Sequence, residues 1–223
     1  MEIRNGILKG NLAVGVALSR RKLAADLGIS VPPVTEALLR LESEGLVESR
    51  PRVGTRVRIP TRQEVEDRSL LREALETQAA RLFAERATAA ERKELQQMGE
   101  RVDRLYAECE KGGVDRDFLF AAHTRHLEFH MRIAECARCP ALRDAIEKEQ
   151  VLIFNWLYDT AVQRSTLAAD YHVTLTRALA GASPAAAEGA MRRHIRRGLR
   201  EVLAGLERIG KRQGAWRRAR GAS

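Results

Sequence analysis

Residues 18–47, LSRRKLAADLGISVPPVTEALLRLESEGLV, decide the fold. Leu23, Ala24 and Leu27 recur at helical spacing behind Ser19, whose hydroxyl suits an N-cap. Gly28 supplies the turn, where a residue with a Cβ is strained. Ser30 is placed to cap a second helix with Pro32 and Pro33 in its first turn, where a missing N–H is tolerated. Val34, Ala37, Leu38 and Leu41 form its buried stripe, and Gly45 ends it. Two short helices across a tight turn make a helix-turn-helix, in which the second helix enters the major groove by its N-terminal end.

The residues after this motif extend it. Leu46–Glu48 and Thr55–Ile59 read as short strands, and SRPRVG between them holds Pro51 and Gly54, which favour a turn. A basic hairpin directly after a recognition helix is a wing, so residues 1–60 are expected to form a winged helix-turn-helix domain. The stretches LAADLGIS, PVTEALLRLESEGLV and RPRVGTRV resemble the DNA-binding domain of GntR-type transcription regulators over nearly all of residues 3–59. The partner this implies is double-stranded DNA. Arg21, Ser30 and Gly54 match contact positions of the family, and Pro32 follows in the same helix start. The family's two groove arginines fall on Val31 and Thr35, so an unusual operator is expected, with Thr35 against a thymine methyl and Arg50, Arg52 and Arg56 joining Arg21 at phosphates. Related regulators begin several residues earlier, so a short first helix is expected over residues 2–9.

Composition agrees with a mostly α-helical globular chain: 44% hydrophobic, 31% charged and only 4% aromatic residues, with Ala, Leu, Arg and Glu abundant. Of the net charge of +9, residues 1–60 carry +4 and residues 208–223 carry +6, which leaves the middle of the chain at −1. That is the footprint of a phosphate-binding module joined to a near-neutral second domain. No apolar run is long enough to span a membrane, and the first residues do not form a signal peptide, so a cytoplasmic protein with no membrane partner is expected. Three cysteines, Cys109, Cys136 and Cys139, make no disulfide framework, and the single C-x-x-C lacks a second pair for a zinc site.

After Pro60 and Thr61 the pattern turns helical and stays so. Helices are expected near residues 63–86, 88–110, 117–137, 142–167, 168–180 and 184–210, making an all-α six-helix bundle over residues 61–209. In the first of them Val65, Leu70, Leu71, Ala74, Leu75 and Leu82 form the apolar stripe. Residues 210–223 are basic and poor in apolar residues, which predicts a disordered tail. LLREALETQAARLFAERAT, EFHMRIAE and YHVTLTRALAGASPAAAEGAMRRHI are similar, in order and spacing, to the FCD ligand-binding domain of the FadR subfamily of GntR regulators.

All five histidines lie in this second part. His126 and His130 are four apart and share a helix face, a spacing that can hold one metal ion, and His123 lies one turn earlier. His172 and His194 sit on two later helices. The FCD resemblance implies a metal held by an Asp and three His. His130, His172 and His194 fall on the three His, and His126 stands where the Asp is usual. Four imidazoles favour a divalent transition metal, zinc or nickel, and leave its charge to be balanced by an acidic effector. Arg72, in R-x-x-L-E, falls where the family aims an Arg into the ligand cavity, which suits a small carboxylate or sugar acid. Trp156 and Tyr158 are candidate lining residues. Leu-Glu-Phe between the paired histidines puts Glu128 off the metal face, and neither G-x-S-x-G nor a phosphate-cradling Gly loop is present, so no enzyme is expected. The reading is a homodimeric, effector-responsive transcription regulator, a repressor on a palindromic operator. The alternatives are a regulator for which the ion is the signal, and a metal-dependent enzyme fused to a DNA-binding domain.

Overall fold

The structure is a computed structural model that describes residues 2–149, 170–181 and 183–220, with side chains as far as residue 207 apart from that of Arg116. The chain divides into two compact units, Met1–Thr61 and Arg62–Ser223.

The first unit holds α1 (Glu2–Leu8), β1 (Ala17–Leu18), α2 (Arg20–Leu27), α3 (Val31–Ser43), β2 (Val47–Arg50) and β3 (Gly54–Val57). The Ser19 hydroxyl accepts from the Lys22 N–H at 3.3 Å and starts α2. Both helices of the motif end the same way. Gly28 and Gly45 take φ of 66° and 78°, and the next residues, Ile29 and Leu46, donate back to the Ala24 and Leu41 carbonyls at 3.0 and 2.9 Å. That pairing satisfies the last free carbonyls of each helix. Ser30 stands at the N-cap of α3 in extended backbone but makes no capping hydrogen bond. The reason is local: a capping oxygen accepts from the second or third helical N–H, and both positions are proline.

The sheet runs β1-β3-β2, all antiparallel, with Ala17 opposite Arg56 and Glu48 opposite Arg56 on the other side. The two-residue strand β1 is too short to leave an alternating pattern and was not expected from sequence. Val34, Leu38, Leu41, Leu46, Val47 and Val57 are buried, so the apolar stripe of α3 packs into a core that the wing strands share.

The second unit is built of α4 (Arg62–Arg86), α5 (Ala89–Lys111), α6 (Arg116–Cys136), α7 (from residue 140, described to 149), α8 (Tyr171–Ala180) and α9 (Pro184–Arg220). Thr88 and Glu91 close a capping box on α5, and Asp115 caps α6 through the Phe118 N–H at 2.8 Å. Phe83, Leu95, Val102, Phe129, Ile133, Ile146, Leu179, Met191 and Ile195 make one buried core. The bundle is thus mostly as the helical periodicity predicts, with four differences. Pro140 opens α7 instead of closing α6, because Arg138 turns the chain at φ 55° and Pro suits a first helical turn. The helix expected from Ala168 begins, within the described residues, at Tyr171. α9 continues past Gly210 to Arg220, so residues 211–220 are helical and not the expected disordered tail; Ala, Arg, Lys and Gln there are good helix formers. Finally, Leu70 and Leu71 of α4 are 69% and 45% exposed, while Arg72 and Glu76 on the same helix are buried. The polar pair faces the histidine cluster. Phe154, Trp156, Leu157 and Tyr158 lie outside the described residues.

Candidate functional site

Three helices bring the histidines together. α6 supplies His126 and His130, α8 supplies His172, and α9 supplies His194. Nε2 of His130 lies 2.9 Å from Nε2 of His126 and 3.1 Å from Nε2 of His194. One ligand atom from each of these three lies within 4.8 Å of the others. His172 is not within that set, although its ring centroid is 4.7 Å from that of His126 and 5.3 Å from that of His194. Its Nε2 and the Nδ1 of His194 are buried without a hydrogen-bond partner among the described residues. A buried imidazole nitrogen left so loses its hydration for nothing unless a cation takes it up.

The far nitrogens of His130 and His172 are held by carboxylates. Nδ1 of His130 lies 2.6 Å from Oε2 of Glu76, and Nδ1 of His172 lies 2.6 Å from Oδ1 of Asp103. Burial opposes the charge on both acids. For Glu76, Arg72 and His130 outweigh it; for Asp103, the His172 ring and the backbone N–H groups of His172 and Val173 do, and both carboxyls stay below the usual range. An ionised carboxylate accepts only, so each histidine donates from Nδ1 and presents a lone pair at Nε2. Burial likewise holds His130 low despite Glu76, and burial with the neighbouring imidazoles holds His126 and His194 well below the usual histidine value. Neutral imidazoles with carboxylates behind them are what a metal ligand set requires. They also revise the charge argument made from sequence: Glu76 and Asp103 supply negative charge one hydrogen bond from the cluster, so an acidic effector is not needed for that purpose.

His126 differs from His130 and His172. Its Nδ1 meets a neutral group, the Tyr106 hydroxyl, at 2.8 Å, and the same hydroxyl lies 3.3 Å from Nδ1 of His123. On the other side, Tyr171 stacks on His194 with ring centroids 4.9 Å apart. Arg72 is buried with its Nε 2.5 Å from Glu76 Oε1, so one face of its guanidinium is engaged in holding the acid that orients His130. Sequence reasoning missed Glu76, Asp103 and Tyr106. The one available signal was that Gly99, Asp103 and Tyr106 share a face of α5 at helical spacing.

The expected DNA contacts divide. Arg21, Ser30, Val31, Pro32, Arg50, Arg52 and Gly54 are exposed. The Ser30 hydroxyl makes no cap bond within the chain. Thr35 is half-buried and its hydroxyl donates to the Val31 carbonyl at 3.1 Å. Arg56 is half-buried and bonded to Glu48, whose carboxyl Arg56 and Arg50 keep low against the effect of burial. That pairing opposes a free phosphate role for Arg56. Arg52, at the wing tip, has φ 62°.

A helix-turn-helix with an exposed basic wing, followed by a helical unit with a buried histidine cluster, is the architecture of a DNA-binding regulator. Residues 1–57 match the family described as bacterial regulatory proteins, gntR family, and residues 69–197 match the FCD domain. The chain belongs to the GntR family of transcription regulators, in the branch that carries an FCD domain. It is 32% identical over 193 residues to the "Probable D-xylose utilization operon transcriptional repressor" of Paenarthrobacter nicotinovorans, covering 85% of this chain and 80% of that one. It is 24% identical over 216 residues to the HTH-type transcriptional repressor RspR of Escherichia coli K12, covering 96% and 90%. Its fold is similar to the crystal structure of a "putative transcriptional regulator GntR" from Rhodococcus sp. RHA1, at a TM-score of 0.70 and 20% identity over 91% of this chain and 94% of that one. These relatives are DNA-binding regulators, not enzymes. Among the described residues no helix is long and apolar enough to cross a membrane.

Proposed function

We propose that this regulator is a repressor that binds a palindromic operator in the cytoplasm as a homodimer, one winged unit on each half-site, and is released by a small carboxylate or sugar acid bound beside a metal centre. His126, His130 and His194 would hold one divalent transition metal, zinc or nickel, with His172 as the fourth ligand. There the ion would tie helices together and offer a Lewis-acidic position to an anion. The observation that carries this reading is the set of three imidazole nitrogens within 4.8 Å, with a fourth Nε2 beside them that has no partner among the described residues. Repressor function is supported by the names of the relatives. Arg72 remains the proposed partner of the effector's carboxylate, through the part of its guanidinium not on Glu76.

The operator is proposed to differ from the family's usual one. Val31 and Thr35 replace two groove arginines, and each bidentate arginine contact to guanine is worth about 1–3 kcal/mol.

Metal analysis, operator footprinting and a screen of organic acids on wild type and His130→Ala test this reading together. The expected result is one ion per wild-type chain and none in the variant, equal operator binding by both, and acid-induced release of the wild type alone. A metal-free wild type that still leaves its operator on adding the acid would overturn it.

A further inference from the structure

We infer that α3 reads its operator through thymine methyl groups, with Val31 and Thr35 packed against the C5-methyls of two thymines in each half-site. The inference deepens the proposed operator reading and rests on it.

The recognition helix is without the side chains that read bases by paired hydrogen bonds. Residues 31–39, VPPVTEALL, hold no Arg, Lys, Asn or Gln, and those are the residues that take guanine and adenine bidentately. The first cation of α3 is Arg40, and its Nη2 lies 2.8 Å from Oε1 of Glu36. The backbone offers little in their place. Pro32 and Pro33 have no N–H, so the helix start lacks two of the donors that usually meet an anion there.

What α3 presents instead is apolar. Val34, Leu38 and Leu41 are buried and form its inward stripe. Val31 and Leu39 are exposed, and with half-buried Thr35 they stand at i, i+4 and i+8, one row along the helix. Ile29 and Pro32, also exposed, flank the start of that row. Single exposed apolar side chains are ordinary on a protein surface. A row of them that opens on the helix end entering the major groove is continuous with the DNA interface of this family. The Thr35 hydroxyl donates to the Val31 carbonyl at 3.1 Å, so it has no proton left for a base acceptor.

On the major-groove edges of the bases the apolar group is the C5-methyl of thymine. Val31 and Thr35 are one turn apart, about 6 Å along the axis, against about 3.4 Å per base-pair step. The two thymines therefore fall within about three consecutive base pairs of each half-site.

Selection of operators from a random duplex library by the full-length protein, followed by thymine→uracil substitution at each position, tests this. Uracil keeps the pairing edge and the O4 acceptor and lacks only the methyl. The expected result is a loss of about fourfold in affinity at two positions per half-site, the worth of one buried methyl, and no change at the others. Val31→Ala should bind the thymine and uracil duplexes alike at one of those positions. Thr35→Ser should do so at the other, whereas Thr35→Val, which keeps the methyl, should still discriminate. Uracil tolerated at every position by the wild type overturns the methyl reading and leaves the operator standing, and that measurement needs no variant to fold. Wild-type discrimination at every position in Val31→Ala and Thr35→Ser assigns the loss to DNA shape or to other residues, and also overturns it. No sequence enriched by the selection overturns the operator reading itself, and this inference with it.

Discussion

Asp103 holds His172 by ring and backbone at once. Its Oδ1 lies 2.6 Å from Nδ1 of the ring and 3.0 Å from the backbone nitrogen, and its Oδ2 lies 3.0 Å from the nitrogens of His172 and Val173. Those N–H groups belong to the first turn of α8, where no intrahelical acceptor exists. Asp170, at the N-cap of α8, makes no capping bond of its own. One carboxylate from α5 therefore starts α8 and sets the tautomer of the histidine that α8 carries, so the helix and the orientation of that ring form together.

Replacing Asp103 separates the two roles. Asp103→Ala removes the cap and leaves buried N–H groups unpaired, and should cost at least about 1–2 kcal/mol in urea unfolding. Asp103→Asn keeps an oxygen for the backbone but removes the charge behind His172. It should lose less stability and bind zinc about tenfold or more weakly in chelator competition. Wild-type zinc affinity in Asp103→Asn would show that the carboxylate serves α8 alone.

Much of this architecture is legible in the sequence. The Ser19 cap, the left-handed glycines 28 and 45 and the stripe from Val34 to Leu41 are local signals, and each appears where its spacing puts it. His130 and His194 fall together because the resemblance carried positions that local rules cannot supply. The outer partners were hidden for a physical reason: Glu76 meets His130, and Asp103 meets His172, across different helices far apart in the chain. Helical periodicity tells which face a residue occupies but not what crosses it. The same limit explains α4, where the sequence shows apolar Leu70 and Leu71 while burial falls on Arg72 and Glu76. Ser30 differs in kind, since the cap rule needs a donor that Pro32 and Pro33 lack.

Arg52 offers a test of the wing. It is exposed and takes φ 62° after Pro51, with the Val53 N–H donating to the Arg50 carbonyl at 3.1 Å across the turn. A left-handed conformation costs a residue with a Cβ about 1–2 kcal/mol, and glycine almost nothing. A strained arginine at an exposed tip suggests that its charge serves binding. Arg52→Gly should raise the thermal midpoint of the winged unit while weakening operator binding and lowering the salt slope by about one. Fluorescence anisotropy over a salt series reads both quantities, and an unchanged slope would remove Arg52 from the phosphate contacts.

The start of α5 predicts an acid limb. Hydrogen bonding from the Thr88 N–H, then from Arg138, holds the Glu91 carboxyl down to about 2 from an ordinary 4.5, with burial opposing. A folded value below the unfolded one means the contribution is complete above about pH 4.5 and is lost as pH falls towards 2. Glu91→Gln should therefore be less stable than the wild type by a constant amount above pH 5, and the gap should narrow in more acidic buffer. Chemical denaturation at a series of pH values checks it, and a gap that persists at pH 2–3 would assign the effect to packing.

Gly99 sets how closely α5 and α8 approach beneath the histidine cluster. A Cβ there would lie 2.9 Å from Cγ2 of Thr176 and 3.4 Å from the carbonyl carbon and oxygen of His172. The first distance forces a shift, and the neighbour is a β-branched side chain with little freedom on a helix. Asp103 lies one turn further along α5, so a displaced α8 pulls His172 away from it. Gly99→Ala should cost about 1–3 kcal/mol as an overpacking change and weaken zinc binding as well. Thr176→Ser removes the clashing methyl, so the double variant Gly99→Ala, Thr176→Ser should recover much of both losses. Recovery of stability without recovery of zinc affinity would mean that the approach of the helices does not position His172.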